Sequence, residues 1–473
     1  MKIKQAFLQA FLPPLFLLYM IMEVNAQTRP ISLHPDNPHY FLYNNKPAIL
    51  VTSGEHYGAV ININFDYVAY LDELESKGLN LTRTFTGSYV EPPGAFNISR
   101  NTLAPMPGKF LCPWKRSNEA GYAGGGNRFD LSQWDTAYFK RLKDFVATAE
   151  SKGVMVELAL FCPFYEDVQW SLSPMNGRNN INNIDNMIRT DVYTLDKNKG
   201  LLAVQDNLVR KIVIELKDFN NVLYEICNEP YFGGVTMKWQ HHIADVISEA
   251  EKDFPAKHLI TQNIANGFAK IENPNPAVSV FNFHYAWPPD AVAMNYHLNK
   301  AIGDNETGFR GNSDSTYRME GWRFILAGGS LYNNLDYSFT DRNEKGTFKF
   351  PSTQPGGGSD SLRWQLSYLK RFMEGFNFIK MRPDSSLIRK ASLRPAEASV
   401  LAEPGKQYAV YIYGQLPATF ELMLPTGSYD LLWLDTKTGI YKNAQVARSS
   451  NGKVTISAPA YTADIALRIV RNK

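Results

Sequence analysis

The sequence predicts an α/β fold: a (β/α)8 TIM barrel carrying a C-terminal antiparallel β-sandwich. Two observations predict it. Up to about residue 340, eight short strand-like runs alternate with stretches of helical spacing, and parallel neighbours need crossover connections of that kind. Beyond Arg382-Pro383-Asp384 the helical spacing stops, and alternating strands take over, separated by turns such as Pro425-Thr426-Gly427 and Asn451-Gly452. That is the texture of a small antiparallel domain. The 473 residues suffice for a barrel at 27–383 and a sandwich at 384–473.

Lys2 and Lys4 precede an apolar run from Ala6 to Met22, broken by Pro13 and Pro14, and then Val24-Asn25-Ala26. A positive start, a short apolar stretch and small residues before a cut describe an export signal over 1–26. The run is short and broken for a span, so no stable membrane insertion is expected after cleavage, and the mature chain is expected in the periplasm or outside the cell. Tyr40-Phe41-Leu42-Tyr43 and Pro47-Ala48-Ile49-Leu50-Val51, flanking Asn44-Asn45-Lys46, read as a hairpin. Barrel strands are expected at Ala48 to Ser53, Leu79 to Phe85, Val154 to Phe161, Val222 to Cys227, His258 to Gln262, Val278 to Phe283, Ala301 to Gly303 and Ser330 to Leu335. Helical spacing runs over Leu131 to Lys152, Leu201 to Phe219, Met237 to Phe254, Thr316 to Leu326 and Ser359 to Phe378. Tail strands are expected at Tyr408 to Tyr413, Thr419 to Leu424, Ser428 to Asp435, Lys453 to Ser457 and Ile465 to Val470. A doubly wound open sheet is the competing fold, but the first strand runs into Gly54-Glu55-His56-Tyr57-Gly58, which is not a dinucleotide fingerprint, and Gly124-Gly125-Gly126 falls in a long loop.

Composition narrows the partners. A formal net charge of +3, spread without blocks, gives no basic face for nucleic acid. Three cysteines, Cys112, Cys162 and Cys227, make no disulfide framework and match no zinc spacing; they read as buried thiols, with one disulfide as the alternative. His241 and His242 are adjacent on a helix and point about 100° apart, and no His-Glu-x-x-His run occurs. No metal and no cofactor are therefore expected.

In a (β/α)8 barrel the chemistry sits past the C-terminal ends of the strands. There the sequence places Glu55-His56-Tyr57 after strand one, Arg83 in strand two, Asn228-Glu229-Pro230 after strand four, His284-Tyr285 after strand six, and Asp304-Asn305-Glu306-Thr307-Gly308 at strand seven. Strands four and seven face each other across the mouth. Two glutamates leaning inward there can serve glycoside hydrolysis, one donating a proton to the leaving oxygen and the other attacking the anomeric carbon. Spacing alone leaves Asp304, two residues earlier and on the same strand face, as a rival to Glu306.

Tyr224-Glu225-Ile226-Cys227-Asn228-Glu229-Pro230 resembles the strand-four signature of clan A retaining glycoside hydrolases, the group that includes the family 5 cellulases. The resemblance implies Glu229 as acid/base and Asn228 as a contact to the sugar 2-hydroxyl. Asn305-Glu306-Thr307-Gly308 resembles the strand-seven end bearing the nucleophile, which chooses Glu306. Asn80-Leu81-Thr82-Arg83 resembles the segment whose Arg braces that nucleophile, and His284-Tyr285 the pair whose Tyr hydroxyl lies near it. The opening stretch from His34 to Phe41 and the β-rich tail are similar to secreted bacterial two-domain members. Family 5 usually places a Trp near the end of strand eight; here the run is Leu331-Tyr332-Asn333-Asn334-Leu335-Asp336, with Tyr332 and Trp287 as substitutes.

These readings give a retaining hydrolase of β-linked oligo- or polysaccharides. Arg83 orients the nucleophile or else pairs inside the barrel with Glu157 or Glu225. The acid is expected to have a raised pKa beside the charged nucleophile. Glu55 and His56 bind a terminal sugar hydroxyl or close their loop. The long segment from Thr86 to Asp130, with Tyr89, Phe96, Phe110, Trp114 and Tyr122, walls the cleft or packs a small core of its own, and Asn176 to Asn186 faces the same mouth. The alternative function is a catalytically inactive carbohydrate-binding barrel. Tyr411, Tyr413 and Trp433 in the tail are sugar platforms or core.

Overall fold

Eight parallel strands form one sheet that curls on itself: Leu50–Gly54, Leu81–Phe85, Met155–Ala159, Val222–Glu225, Leu259–Asn266, Val278–His284, Ala301–Thr307 and Leu331–Leu335. This computed structural model describes residues 29–389 and 394–472; the export signal read at 1–26 lies outside the described residues. Each strand pairs with its neighbours in chain order, and the eighth pairs with the first. Strands one and two close the circle differently. The Asn80 side chain accepts from the Val51 N–H at 2.9 Å and donates to the Ile49 carbonyl at 2.9 Å, while the Asn80 N–H reaches the Val51 carbonyl at 3.3 Å. One amide side chain thus does what a β-ladder does elsewhere.

Helices Tyr67–Lys77, Thr136–Ser151, Leu201–Leu216, Met237–Ala250, Asp314–Leu326 and Asp360–Glu374 wrap the sheet. Their starts follow from capping: Asp66, Asp135, Thr236 and Ser359 each accept backbone N–H bonds of the first turn. Between strands five and six a non-helical connection over 267–277 replaces the helix that strict alternation requires. The helix read from Leu131 starts instead at Thr136, because residues Asn127–Trp134 pair with Trp114–Ala120 as a hairpin and Asp135 caps the helix immediately after it. Gly124-Gly125-Gly126 lies at that hairpin's turn.

The barrel interior is layered. At its N-terminal end one apolar side chain from every strand (Leu50, Leu81, Met155, Leu223, Leu259, Val280, Ala301 and Leu331) packs with Ile31 and Phe41. The hairpin of Asn37–Tyr43 with Lys46–Ala48 supplies Phe41 and so plugs this mouth. Its turn carries Asn44 and Asn45 at φ 48° and 59°, a left-handed pair that asparagine tolerates. Nearer the other end the filling turns polar: Arg83, Glu157, Glu225, Thr261, Asn282 and Asn305, all buried. Asn282 needs the space beside Gly303, where a Cβ would stand 2.1 Å from its Oδ1.

The tail is an antiparallel β-sandwich with its own apolar core. Thr419 to Leu424 and Tyr408 to Tyr413 belong to one long strand, Gln407–Met423. Its first part pairs with Arg394–Glu403 and Asp464–Arg471, and its second with Lys453–Ser457. Tyr441–Ser449, unread in the sequence, pairs with Gly427–Leu434. Tyr411, Tyr413 and Trp433 are buried rather than displayed. Tyr411 stacks on Trp322 of the barrel at 5.3 Å, and its hydroxyl meets Asp464, which also takes the Arg318 guanidinium. All three cysteines are free and buried. Among the described residues no helix is long and apolar enough to cross a membrane.

Asn80→Ala leaves the Val51 N–H and the Ile49 carbonyl without partners at the barrel seam. Each such group costs about 1–3 kcal/mol, so a loss of about 3 kcal/mol in unfolding free energy is expected in urea titration. A change below about 0.5 kcal/mol would mean that water replaces the side chain.

Candidate active site

The polar layer rises into a cleft of about 250 Å3 at the C-terminal mouth, lined among others by His56, Tyr57, Glu91, Tyr165, Asn228, Glu229, Tyr285 and Glu306. Arg83 is its base. The guanidinium is fully enclosed and spends its donors on three partners: Nε and Nη2 on Glu225, Nη2 also on Asn228 Oδ1 at 2.6 Å, and Nη1 on Glu306 at 3.1 Å. Its plane also lies 4.5 Å from the Tyr57 ring centre. The interior pairing with Glu225 and the bracing of Glu306 are thus one arrangement, not alternatives.

Glu306 is held from three sides, by Arg83, by the Tyr57 hydroxyl at 2.8 Å and by the Tyr285 hydroxyl. Asp304 does not share its face. Strand seven skips one register position against strand six between Asp304 and Glu306. This turns Asp304 outward toward Glu320, where burial and that neighbouring charge push its pKa well up. Asn305 points inward to Glu157 and Glu225. The bulge, invisible to a count of two, separates the two acids.

Glu229 accepts from the Tyr165 hydroxyl at 2.5 Å and the Tyr231 hydroxyl at 3.2 Å. His284 Nδ1 stands 3.3 Å from Glu229 and 3.6 Å from Glu306. One ligand atom from each of the three lies within 4.8 Å of the others. Backbone strain concentrates here: Tyr57, Glu229 and Tyr285 have φ of 61°, 36° and 53°, a region non-glycine residues enter at a cost of about 1–3 kcal/mol.

The family model for cellulase (glycosyl hydrolase family 5) matches residues 70–285, from the helix after strand one through Tyr285. Among solved structures, a candidate glycoside hydrolase from Bacteroides vulgatus ATCC 8482 superposes with a TM-score of 0.70 at 14% identity, over 94% of this chain and 83% of that one. A family 5 glycoside hydrolase from the same organism gives 0.63 at 14% identity, over 93% of each chain. A family 5 mannosidase from Rhizomucor miehei gives 0.50 at 13% identity, over 74% of this chain and 99% of its own. No curated protein matches the sequence. Over residues 70–285 this chain is similar to family 5 glycoside hydrolases, and its fold is shared with solved glycoside hydrolases.

The structure gathers Glu229, Glu306, Arg83, Asn228, His284, Tyr285 and His56 at one cleft, and leaves three of the residues singled out from the sequence elsewhere. Glu55 closes its own loop, accepting from the Gly58 and Ala59 N–H groups and the Thr102 hydroxyl. Tyr332 is buried below the mouth, its hydroxyl given to the Tyr317 carbonyl at 2.7 Å. The Trp287 ring lies under Arg310 and Arg323, and Arg323 also covers Tyr413 of the sandwich. Neither ring takes the place of the absent strand-eight Trp. The segment Asn176 to Asn186 folds onto itself and onto the hairpin through Asn179, Asn180 and Asn182, away from the cleft. The Thr86 to Asp130 segment divides its work: Glu91, Phe96 and Leu103 line the cleft, while Phe110, Trp114, Tyr122 and Phe129 pack a side cluster.

Sequence reasoning passed over Tyr57, Glu91, Tyr165 and Tyr231. Tyr57 stood in the quoted strand-one run, and Tyr165 comes soon enough after strand three that the strand-end rule reaches it. Tyr231 directly succeeds Pro230. Nothing local marks Glu91.

The protonation pattern departs from expectation. Burial raises the Glu229 carboxyl, but the hydrogen bond and charge of His284, with Tyr165 and Tyr231, outweigh it and hold the group below the usual range. Burial lowers His284, while Glu306 and Glu229 more than offset this, so it binds its proton more tightly than a free imidazole. Both directions favour a proton on His284 over one on Glu229. Below it, burial and the Glu225 charge push Glu157 up to about 7, despite hydrogen bonds from Thr261, Asn282 and Asn305.

Because the folded pKa of Glu157 is raised, its stabilising contribution is fully present below about pH 4.5 and is lost as pH rises through about 7. The shift corresponds to about 3 kcal/mol. The difference in unfolding free energy between the wild type and Glu157→Gln should therefore fall by about that amount over this window. A pH-independent difference would show that Glu157 stays ionised.

Proposed function

We propose that this protein cleaves β-glycosidic bonds of oligo- or polysaccharides with net retention, by double displacement, and that its leader-like first segment carries it out of the cytoplasm. The observation that carries the mechanism is the separation of the two glutamates. One carboxyl oxygen of Glu229 lies within 4.8 Å of one of Glu306, a close approach of the kind that retaining sites need, with their carboxyls roughly 5–5.5 Å apart.

Glu306, aligned by Arg83, Tyr57 and Tyr285, attacks the anomeric carbon as the bond to the leaving oxygen breaks. Glu229, beside its proton source His284, gives that oxygen a proton, leaving a glycosyl ester on Glu306. Water then attacks the same carbon, Glu229 takes the water proton, and the ester bond breaks to restore Glu306. Asn228, fixed between Arg83 and Tyr165, faces the position of the sugar 2-hydroxyl.

Product configuration followed by NMR should show retention. Glu229→Ala is expected to lower turnover of substrates with poor leaving groups by about 10^3-fold, to spare the first step with dinitrophenyl glycosides, and to yield a β-glycosyl azide when azide is added. Glu306→Ala should abolish hydrolysis, with azide giving the α-product. Near-wild-type rates in either variant would reject these roles.

The alkaline limb of kcat/KM should report loss of the proton shared by His284 and Glu229. Since Glu306 and Glu229 raise His284 above 6.5, that limb is expected above pH 6.5. A fall in activity beginning below that value, with no acid limb of its own, would contradict the proton's placement.

A further inference from the structure

The cleft is open on one side and walled on the other. On the open side, beyond Glu229, stand Tyr231, Phe232 and Asn266, and across from them Phe309; Phe232 and Phe309 are each 43% exposed. The walled side lies beyond Glu306 and Tyr57. There residues 96–103 cross the mouth and fasten to the segment after strand eight. Asn97 Nδ2 donates to the Thr353 carbonyl at 2.8 Å, the Ser99 N–H to Gln354 Oε1 at 3.0 Å, and Arg100 to the Asp341 carbonyl at 2.9 Å. Behind this strap Thr102 donates to Glu55 and to the His56 carbonyl. The fit is tight enough that a Cβ on Gly58 would stand 2.2 Å from the Thr102 carbonyl oxygen.

At the foot of the wall, inside the cleft, are His56 and Glu91. His56 Nε2 is 3.4 Å from a Glu91 oxygen. His56 as a whole is 8% exposed, and neither ring nitrogen has a hydrogen-bond partner. Buried imidazoles ordinarily spend their ring nitrogens on partners, and His56 lines the cleft. Glu91 is oriented by the Tyr89 hydroxyl and Asn101. A carboxylate beside an imidazole offers the acceptors and the donor that neighbouring sugar hydroxyls need.

The direction of the substrate is set by the chemistry. The leaving oxygen must meet Glu229, so the leaving group extends to the open side. The sugar attacked by Glu306 extends toward the wall. We propose that the cleft is a blind pocket for a single non-reducing terminal sugar, with His56 and Glu91 binding the hydroxyls of that sugar farthest from the scissile bond. The enzyme then removes sugars from chain ends and does not cut within chains. This inference rests on the roles assigned above to Glu229 and Glu306.

The test uses the full chain on β-1,4-linked gluco- and manno-tetrasaccharides labelled at the reducing end with 2-aminobenzamide, and on 4-nitrophenyl β-glycosides of the common hexoses and pentoses. The expected first products are a free monosaccharide and a labelled trisaccharide, with no labelled disaccharide preceding it. Early labelled disaccharide would overturn the blind pocket and leave the hydrolase reading intact. Silence on every substrate would overturn the hydrolase reading and this inference with it.

On the best substrate, Glu91→Gln and His56→Ala should each lower kcat/KM by about 100-fold, since a site built around a hydroxyl penalises loss of the contact heavily. In the wild type, replacing the contacted 3- or 4-hydroxyl by hydrogen should cost a similar factor. The losses from variant and deoxy substrate should not multiply. Losses that multiply for both hydroxyls would show that Glu91 and His56 do not touch the sugar.

Discussion

A single buried guanidinium organises this molecule. Arg83 sits where the barrel's apolar filling ends, and its donors face a structural carboxylate, Glu225, the nucleophile candidate, Glu306, and the amide of Asn228. The planar fork of arginine can hold partners at fixed angles where a lysine would offer only a point charge. Because the charge is enclosed, every group around it must be compensated. Glu157 then becomes the surplus acid, 4.0 Å from Arg83 Nε, and is driven toward neutrality by burial and by Glu225. The cost of burying one cation is offset by hydrogen bonds that also fix the site, so stability and geometry are coupled at the same atoms.

The rest of the architecture serves that layer. An apolar stack drawn from all eight strands, sealed by Phe41 and Ile31, keeps water from the lower barrel. Above it the strand ends aim Glu229 and Glu306 at one imidazole. The left-handed backbone at Tyr57, Glu229 and Tyr285 is tolerated because each side chain is anchored by hydrogen bonds or by packing in the cleft. The sandwich contributes from outside. Through Arg318 and Asp464, Trp322 and Tyr411, and the Trp287–Arg323–Tyr413 stack, it clamps the helix after strand seven and the loop after strand six.

The eight strands and most helices were legible because periodicity and capping residues are local signals, as at Ser359 and Thr236. The two glutamates, Arg83 and Tyr285 were legible because strand ends carry the chemistry in this fold. What failed were features set by long-range register. The bulge that separates Asp304 from Glu306 depends on the neighbouring strand. The outward turn of Tyr332 to Tyr317 and the capture of Trp287 by Arg310 and Arg323 depend on how neighbouring elements pack. Glu91 lies in a long connection whose only sequence mark is its length. The lowered carboxyl of Glu229 could not be read, because it depends on which side of His284 each glutamate stands.

The strap across the mouth has a consequence for how the enzyme comes into being. Asn97 and Thr353 are 256 residues apart, so the wall cannot form until nearly the whole barrel has emerged and closed. Loop-closing contacts of that span come late in folding. Until then His56 and Glu91 belong to an unfinished trough, and a partly made chain has no end-stop. Selectivity for chain termini would therefore be acquired last, with the final turn of the barrel.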